Sequence, residues 1–171
     1  MFGRLVNDFI NYFSSYPSSL ATILLSMLPV TESRVAVPLA ITFFGLSPIM
    51  AIIYSTLGGA ITTIILINLL DWVTTFLIKH FRIFDNFFTW LFKRTRNRFT
   101  AKYEKYGLFA LVLFVAAPIP GSGVWVGSLA AYLFNIDKKK SFIFIVIGAI
   151  IASSIMALIT VGALEVTSGI N

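Results

Sequence analysis

Two short segments of this 171-residue chain carry residue types that can do chemistry where such residues are costly to place. The first, Thr31-Glu32-Ser33-Arg34, lies inside an apolar stretch from Leu20 to Gly45 that is also broken by Pro29 and Pro38. Ionisable groups at membrane depth are expensive, so a functional site is the default reading. Glu32 and Arg34 are two apart and do not share a helix face, but at an irregular tip they can still meet. In one reading they form an ion pair that pins the local fold. In the other, Arg34 opens a helix whose free N–H groups and dipole favour an anion, and its guanidinium completes a phosphate or carboxylate site. A partly desolvated Glu32 then holds a proton more tightly and can carry one.

The second segment, Pro118-Ile119-Pro120-Gly121-Ser122-Gly123, breaks the apolar stretch from Leu108 to Ile136 and has no charge. It offers flexible backbone, free N–H groups and a hydroxyl, again at the start of a helix. It is either the other half of a binding site or a tight buried turn that Gly and Ser permit. Trp125 can line such a site or pack. The expected substrate-binding set is therefore Glu32, Ser33, Arg34, Gly121, Ser122, Gly123 and Trp125, with Glu32 also the proton-coupling group. Asn68 and Asp71 fall at the end of an apolar run, where Asp71 reads as interfacial, as does the lone His80. The chain has no cysteine, which excludes thiol catalysis and cysteine-ligated metals. The sequence presents no nucleophile–base pair, metal-ligand spacing or phosphate loop with a following lysine. No enzymatic activity, metal or cofactor is expected.

The elements that must position these residues follow from composition. Hydrophobic residues make up 58%, charged residues 12%, and the mean hydropathy is +0.91. Twenty charges cannot coat a soluble domain of this size, and disorder requires the opposite composition. The solvent for most of this surface is lipid. A net charge of +6 would suggest nucleic acid in a soluble protein; here the basic residues cluster as in a membrane protein, and no nucleic-acid partner is expected.

A helix needs about 20 apolar residues to cross the bilayer. Leu46 to Leu70 and Phe142 to Leu164 contain no charge and read as transmembrane helices, within elements at 46–78 and 141–165. The two broken stretches, at 18–45 and 107–136, read as re-entrant hairpins, because each half reaches only about the midplane. The alternative is one kinked span per stretch. Apolar residues at helical spacing from Phe84 to Phe99, opposite Lys93, Arg94, Arg96, Arg98, Lys102 and Lys105, make 82–106 a basic interfacial helix. A second interfacial helix is expected at 1–16, and a cleaved signal peptide is not. Eight of the 13 Lys and Arg lie between Lys79 and Lys105, and three more are Lys138, Lys139 and Lys140. The positive-inside rule makes both stretches cytoplasmic, with the termini outside if both hairpins are re-entrant.

The order hairpin–span occurs twice. An offset of 89 residues places Pro29 on Pro118, Ser33 on Ser122, Val35 on Val124, Val37 on Val126 and Gly59 on Gly148. One span separates the copies, so their topology is inverted, and inverted repeats with discontinuous helices mark transporters. The two half-helix starts would then face each other near the midplane with an anion between them. Small residues four apart (Ala51, Ser55, Gly59 and Thr63; Ala149, Ser153 and Ala157) form faces that let helices approach closely in lipid.

Leu28-Pro29-Val30-Thr31-Glu32-Ser33-Arg34-Val35-Ala36-Val37-Pro38-Leu39 and Ala117-Pro118-Ile119-Pro120-Gly121-Ser122-Gly123-Val124-Trp125-Val126-Gly127-Ser128-Leu129 together resemble the putative small multi-drug export protein family, a distant relative of the DedA (VTT-domain) membrane proteins. The resemblance covers roughly residues 20 to 165. It implies re-entrant hairpins, an inverted repeat, and transport or flipping of anionic lipids with proton coupling. The DedA pattern has arginines in the second hairpin region; this chain has Gly121 and Gly123 at that tip and no arginine after Arg98.

The expectation is an all-α polytopic protein of the inner (plasma) membrane, a single membrane domain of two inverted repeats and two interfacial helices. It is expected to move a small molecule or a phosphate-bearing lipid headgroup. The rivals are an uncoupled lipid scramblase and a non-transporting assembly or scaffold protein. Its surroundings are the bilayer, and so small a bundle is compatible with a homodimer.

Overall fold

The computed structural model describes residues 13, 15–80, 101–119 and 122–169. Among the described residues six helices follow one another and no strand occurs: α1 (Ser18–Met27), α2 (Glu32–Thr42), α3 (Pro48–His80), α4 (Ala101–Ala116), α5 (Val124–Leu133) and α6 (Lys138–Gly169). The interfacial helix expected at 1–16 falls almost wholly outside the described residues. Of the basic helix expected at 82–106 only 101–106 are described, and these lie within α4, which runs on through Gly107. An internal glycine weakens a helix by about 1 kcal/mol, too little to end one.

The two long helices have 33 and 32 residues and are long and apolar enough to cross a membrane. Only 39% and 33% of their most apolar windows are buried, whereas the core helix of a soluble protein is covered all round. Both run past the expected ends at 78 and 165, and α6 starts before 141. Asp137 explains that early start: its Oδ1 accepts from the N–H groups of Lys139 and Lys140 at 3.0 and 3.2 Å. This is an N-cap, so the three lysines form the first turn of α6 and not a loop.

The chain divides into two units, residues 1–59 with 150–171, and residues 60–149. In the first, α1 and α2 form a hairpin whose Ala21, Leu25 and Ala36 enclose a core with Phe13. Val37 and Ala40 pack with Ala51 of α3 and Ala157 of α6. A Cβ on Gly58 would collide with Ser26 Oγ and the Ile23 carbonyl, so α3 lies directly against α1. The Ser153 hydroxyl donates to Ser55 Oγ at 3.5 Å. Within this unit, then, α3 advances from 51 to 55 while α6 retreats from 157 to 153: they pass in opposite directions.

In the second unit α4 and α5 form the hairpin, and Leu111, Val115, Val124 and Ala131 pack with Ile145 and Ala149 of α6. A Cβ on Gly148 would stand 2.7 Å from Val115 Cβ and 3.0 Å from the Val112 carbonyl. Lys138, at the start of α6, meets Asp71 of α3, just past that helix's uncharged run.

Features of the first hairpin and long helix return further along the chain. Gly45 and Asn135 both take a left-handed φ, +66° and +52°, at the turn into the long helix. Gly and Asn are the residues that tolerate it. Ser47 and Asp137 cap the long helices. Positions 51–63 and 141–153 show the same order of buried and exposed residues, except at Ala60 and Ile150. The offset over this part is 90 and not 89, because the second hairpin has one more residue between its tip and the long helix that follows. Gly58, not Gly59, therefore occupies the place equivalent to Gly148.

Candidate functional site

At the first tip α1 ends at Met27, and the Leu28 N–H donates back to the Leu25 carbonyl at 3.3 Å. The Thr31 hydroxyl donates to the same carbonyl, and the Glu32 N–H to the Leu28 carbonyl at 3.0 Å. These bonds satisfy backbone groups that a broken helix would otherwise leave open. Glu32 begins α2 with φ +37°, a conformation that costs a non-glycine residue of the order of 1–3 kcal/mol. It is also 5% exposed. Chain reversal at Glu32 removes the helical separation expected of residues two apart and brings Arg34 Nη1 to 3.2 Å from Glu32 Oε2. A charge that is nearly buried, strained in its backbone and paired is costly to keep.

Pro38 lies inside α2. It cannot donate to the carbonyl four residues earlier, that of Arg34, so the turn holding the guanidinium lacks one backbone bond of a regular helix. Ser33 is half-buried beside the pair. Val30, at the apex, is 88% exposed.

The second tip is closed differently. The Ser122 hydroxyl lies 2.7 and 2.9 Å from the carbonyls of Ala117 and Ile119, and its N–H donates to Ile119 at 3.1 Å. The group expected to face a ligand thus closes the turn, as Thr31 does in the first hairpin. Gly123 takes φ +113°, open to glycine and strained for any other residue, and its carbonyl accepts the Gly127 N–H at 2.8 Å. Gly121 lies outside the described residues. Trp125 is half-buried and packs against the Leu111–Val115 core of its unit. Ile119 is exposed at the apex, 89 residues after Val30.

The structure therefore brings Glu32 and Arg34 together and gives Ser122, Gly123 and Trp125 roles within their own hairpin. Asp71, read as interfacial, is half-exposed and accepts from Lys138 Nζ at 2.8 Å. That link had a signal in the sequence: opposite charges at adjoining ends of two apolar runs. Among the described residues no group of His, Asp or Glu could hold a metal.

The model of the family described as "Putative small multi-drug export protein" matches residues 32–155. The match begins at Glu32 and covers α2, α3, the second hairpin and α6 as far as Ile155. Searches of curated proteins and of solved structures return no match.

Proposed function

The chain belongs to the putative small multi-drug export protein family, and we propose that it is a multi-pass inner-membrane exporter whose working site is the Glu32–Arg34 pair. One observation carries this reading: a nearly buried carboxylate, held in a left-handed backbone, pairs at 3.2 Å with a guanidinium at a helix break. Strain and buried charge kept together point to function. With Glu32 ionised the guanidinium is engaged. When Glu32 takes up a proton it releases Arg34, which can then hold an anionic group of the substrate in its planar fork. A phosphate-bearing headgroup, as the DedA likeness implies, would use the same fork. A cationic drug would need Arg34 to turn away from Glu32.

The proposed architecture is a pair of inverted repeats with re-entrant hairpins. Helices α1, α2 and α5 have 10, 11 and 10 residues, about 15–17 Å each at 1.5 Å per residue, half the hydrocarbon core of about 30 Å. The apolar part of α4, Tyr106–Ala116, is of the same length, at about 17 Å. The opposed directions of α3 and α6 within the first unit support inversion.

The test is flux into proteoliposomes, with and without a pH gradient, over a panel of organic anions, organic cations and labelled phospholipids. Anion flux that responds to the gradient and loses that response in Glu32→Gln supports the proposal. Lipid movement indifferent to the gradient favours the scramblase, and an absence of flux across the whole panel favours the scaffold.

A further inference from the structure

The second unit holds a pocket that the tip site does not use. Its volume is about 710 Å³, and it lies where α3 around Ile67 and Asp71, the end of α5 and the first turn of α6 meet. Asp71, Asn135, Lys138 and Lys139 line it. Asp137 also borders it, but its Oδ1 is taken by the backbone of Lys139 and Lys140. The Asp71–Lys138 pair is open to exchange, since the side chains are 52% and 54% exposed and water competes for such pairs. The charged groups that line the pocket are thus two ammoniums and two carboxylates, of which Asp71 is the one not held on the backbone at the start of α6.

A groove of about 340 Å³ adjoins the pocket. It shares Ile67, Lys138 and Lys139 with it and continues along the apolar runs to Ile64, Phe142 and Ile143. Trp72, next to Asp71, is 65% exposed and stacks on Phe76 at 5.8 Å. Exposed tryptophan and clustered lysine at the end of apolar runs mark the headgroup level of a membrane.

We infer that the pocket and groove together bind one phospholipid whose headgroup is a phosphate diester bearing a primary ammonium. The phosphate lies on Lys138 and Lys139, the ammonium on Asp71, and an acyl chain fills the groove. The pocket falls within the size range of small-molecule sites. A phosphate without an amine would leave Asp71 facing it uncompensated. A quaternary ammonium has no N–H to donate to the carboxylate. A free phosphoethanolamine offers the same charges but leaves the groove unused, so apolar burial favours the lipid. The inference is independent of the Glu32–Arg34 reading.

Native mass spectrometry of the full chain in micelles doped with phosphatidylethanolamine, phosphatidylglycerol or phosphatidylcholine of matched acyl chains tests it. Free phosphoethanolamine and a series of shorter chains form further arms. The wild-type chain is expected to retain one phosphatidylethanolamine about fivefold over the other two, as for one charged contact at a half-exposed site, and retention should rise with chain length. Asp71→Asn should abolish that preference and raise phosphatidylglycerol retention. Lys139→Gln should weaken both lipids. Circular dichroism checks that the variants fold, and the wild-type arms decide the matter if one does not. Equal retention of the three lipids by the wild-type chain, or a preference that survives Asp71→Asn in a folded protein, overturns the inference. Free phosphoethanolamine held as tightly as the lipid overturns it as well.

Discussion

Gly58 and Gly148 stand 90 residues apart in the chain, and each is the point where a long helix presses on the first arm of its own hairpin. Gly58 faces Ile23 and Ser26, and Gly148 faces Val112 and Val115; the hairpin partners are 89 residues apart. Helices in lipid gain little from hydrophobic association, so close approach through small residues supplies much of their cohesion. The two glycines therefore carry equivalent structural duties, each between a long helix and the hairpin before it.

Substituting alanine at either glycine forces a methyl group against backbone or a β-branched side chain. The expected loss is about 1–3 kcal/mol at each. Gly162→Ala is the control, because nothing lies within 4 Å of the added carbon, and there the better helix former should be neutral or slightly stabilising. Thermal unfolding in detergent, followed by tryptophan fluorescence, measures all three. Equal stability of the Gly58 and Gly162 variants would remove the close-packing account.

The turns into α3 and α6 allow a cleaner test of backbone strain. A Cβ at Gly45 would meet nothing within 4 Å, so only its φ of +66° opposes a side chain. Gly45→Ala should cost about 1–2 kcal/mol. The equivalent Asn135 already tolerates φ +52°, and Asn135→Gly should leave the melting temperature nearly unchanged. The same unfolding measurement decides both, and a neutral Gly45→Ala would show that the turn relaxes.

Much of this fold was legible in the sequence, for identifiable reasons. Uncharged runs of span length, and prolines in the middle of two others, fix where helices can continue and where they must break. Helix ends were less legible. Lys138 reads as loop until Asp137 is seen to cap it, and Ala101 reads as the tail of a surface helix until α4 is seen to pass through Gly107. At the candidate site, residue types pointed to Glu32 and Arg34, but not to the left-handed φ that lets them meet. A hydroxyl at a tip serves a ligand or its own backbone equally well from sequence alone, and the structure sets Ser122 Oγ on the carbonyls of Ala117 and Ile119. The Asp71–Lys138 link joins residues 67 apart; opposite charges at the ends of two apolar runs hint at it, and the fold shows that those ends meet.

The lysines at the start of α6 predict the orientation. A single cysteine at Lys139, which is exposed, should react with an impermeant thiol reagent only in inverted vesicles, because positive residues stay on the cytoplasmic side. The chain has no native cysteine to confuse the result. Labelling in intact cells would reverse the orientation and place the pocket beside Asp71 on the outer face.

The ion pair at the first tip separates mechanism from architecture. If Glu32 and Arg34 serve only to hold the tip, removing either partner leaves the other charge uncompensated and should cost about 3–5 kcal/mol. Replacing both with neutral residues of similar size should then recover much of that loss. If Glu32 is the proton carrier, Glu32→Gln mimics its protonated form and removes the ion pair that competes with an anion for Arg34. That variant should bind substrate at least as well as the wild-type chain, and its flux should no longer respond to a pH gradient. Arg34→Lys keeps the charge but loses the planar fork, so it should weaken substrate binding while Glu32 remains paired. Flux and thermal stability, measured on both single variants and on the neutral double variant, distinguish these outcomes. Single variants destabilised by several kcal/mol, with stability restored in the double variant and flux intact, would assign the pair to structure. Stable single variants with altered coupling would assign it to transport. Gradient-responsive flux in Glu32→Gln would remove Glu32 from the mechanism while leaving Arg34 as the anion site.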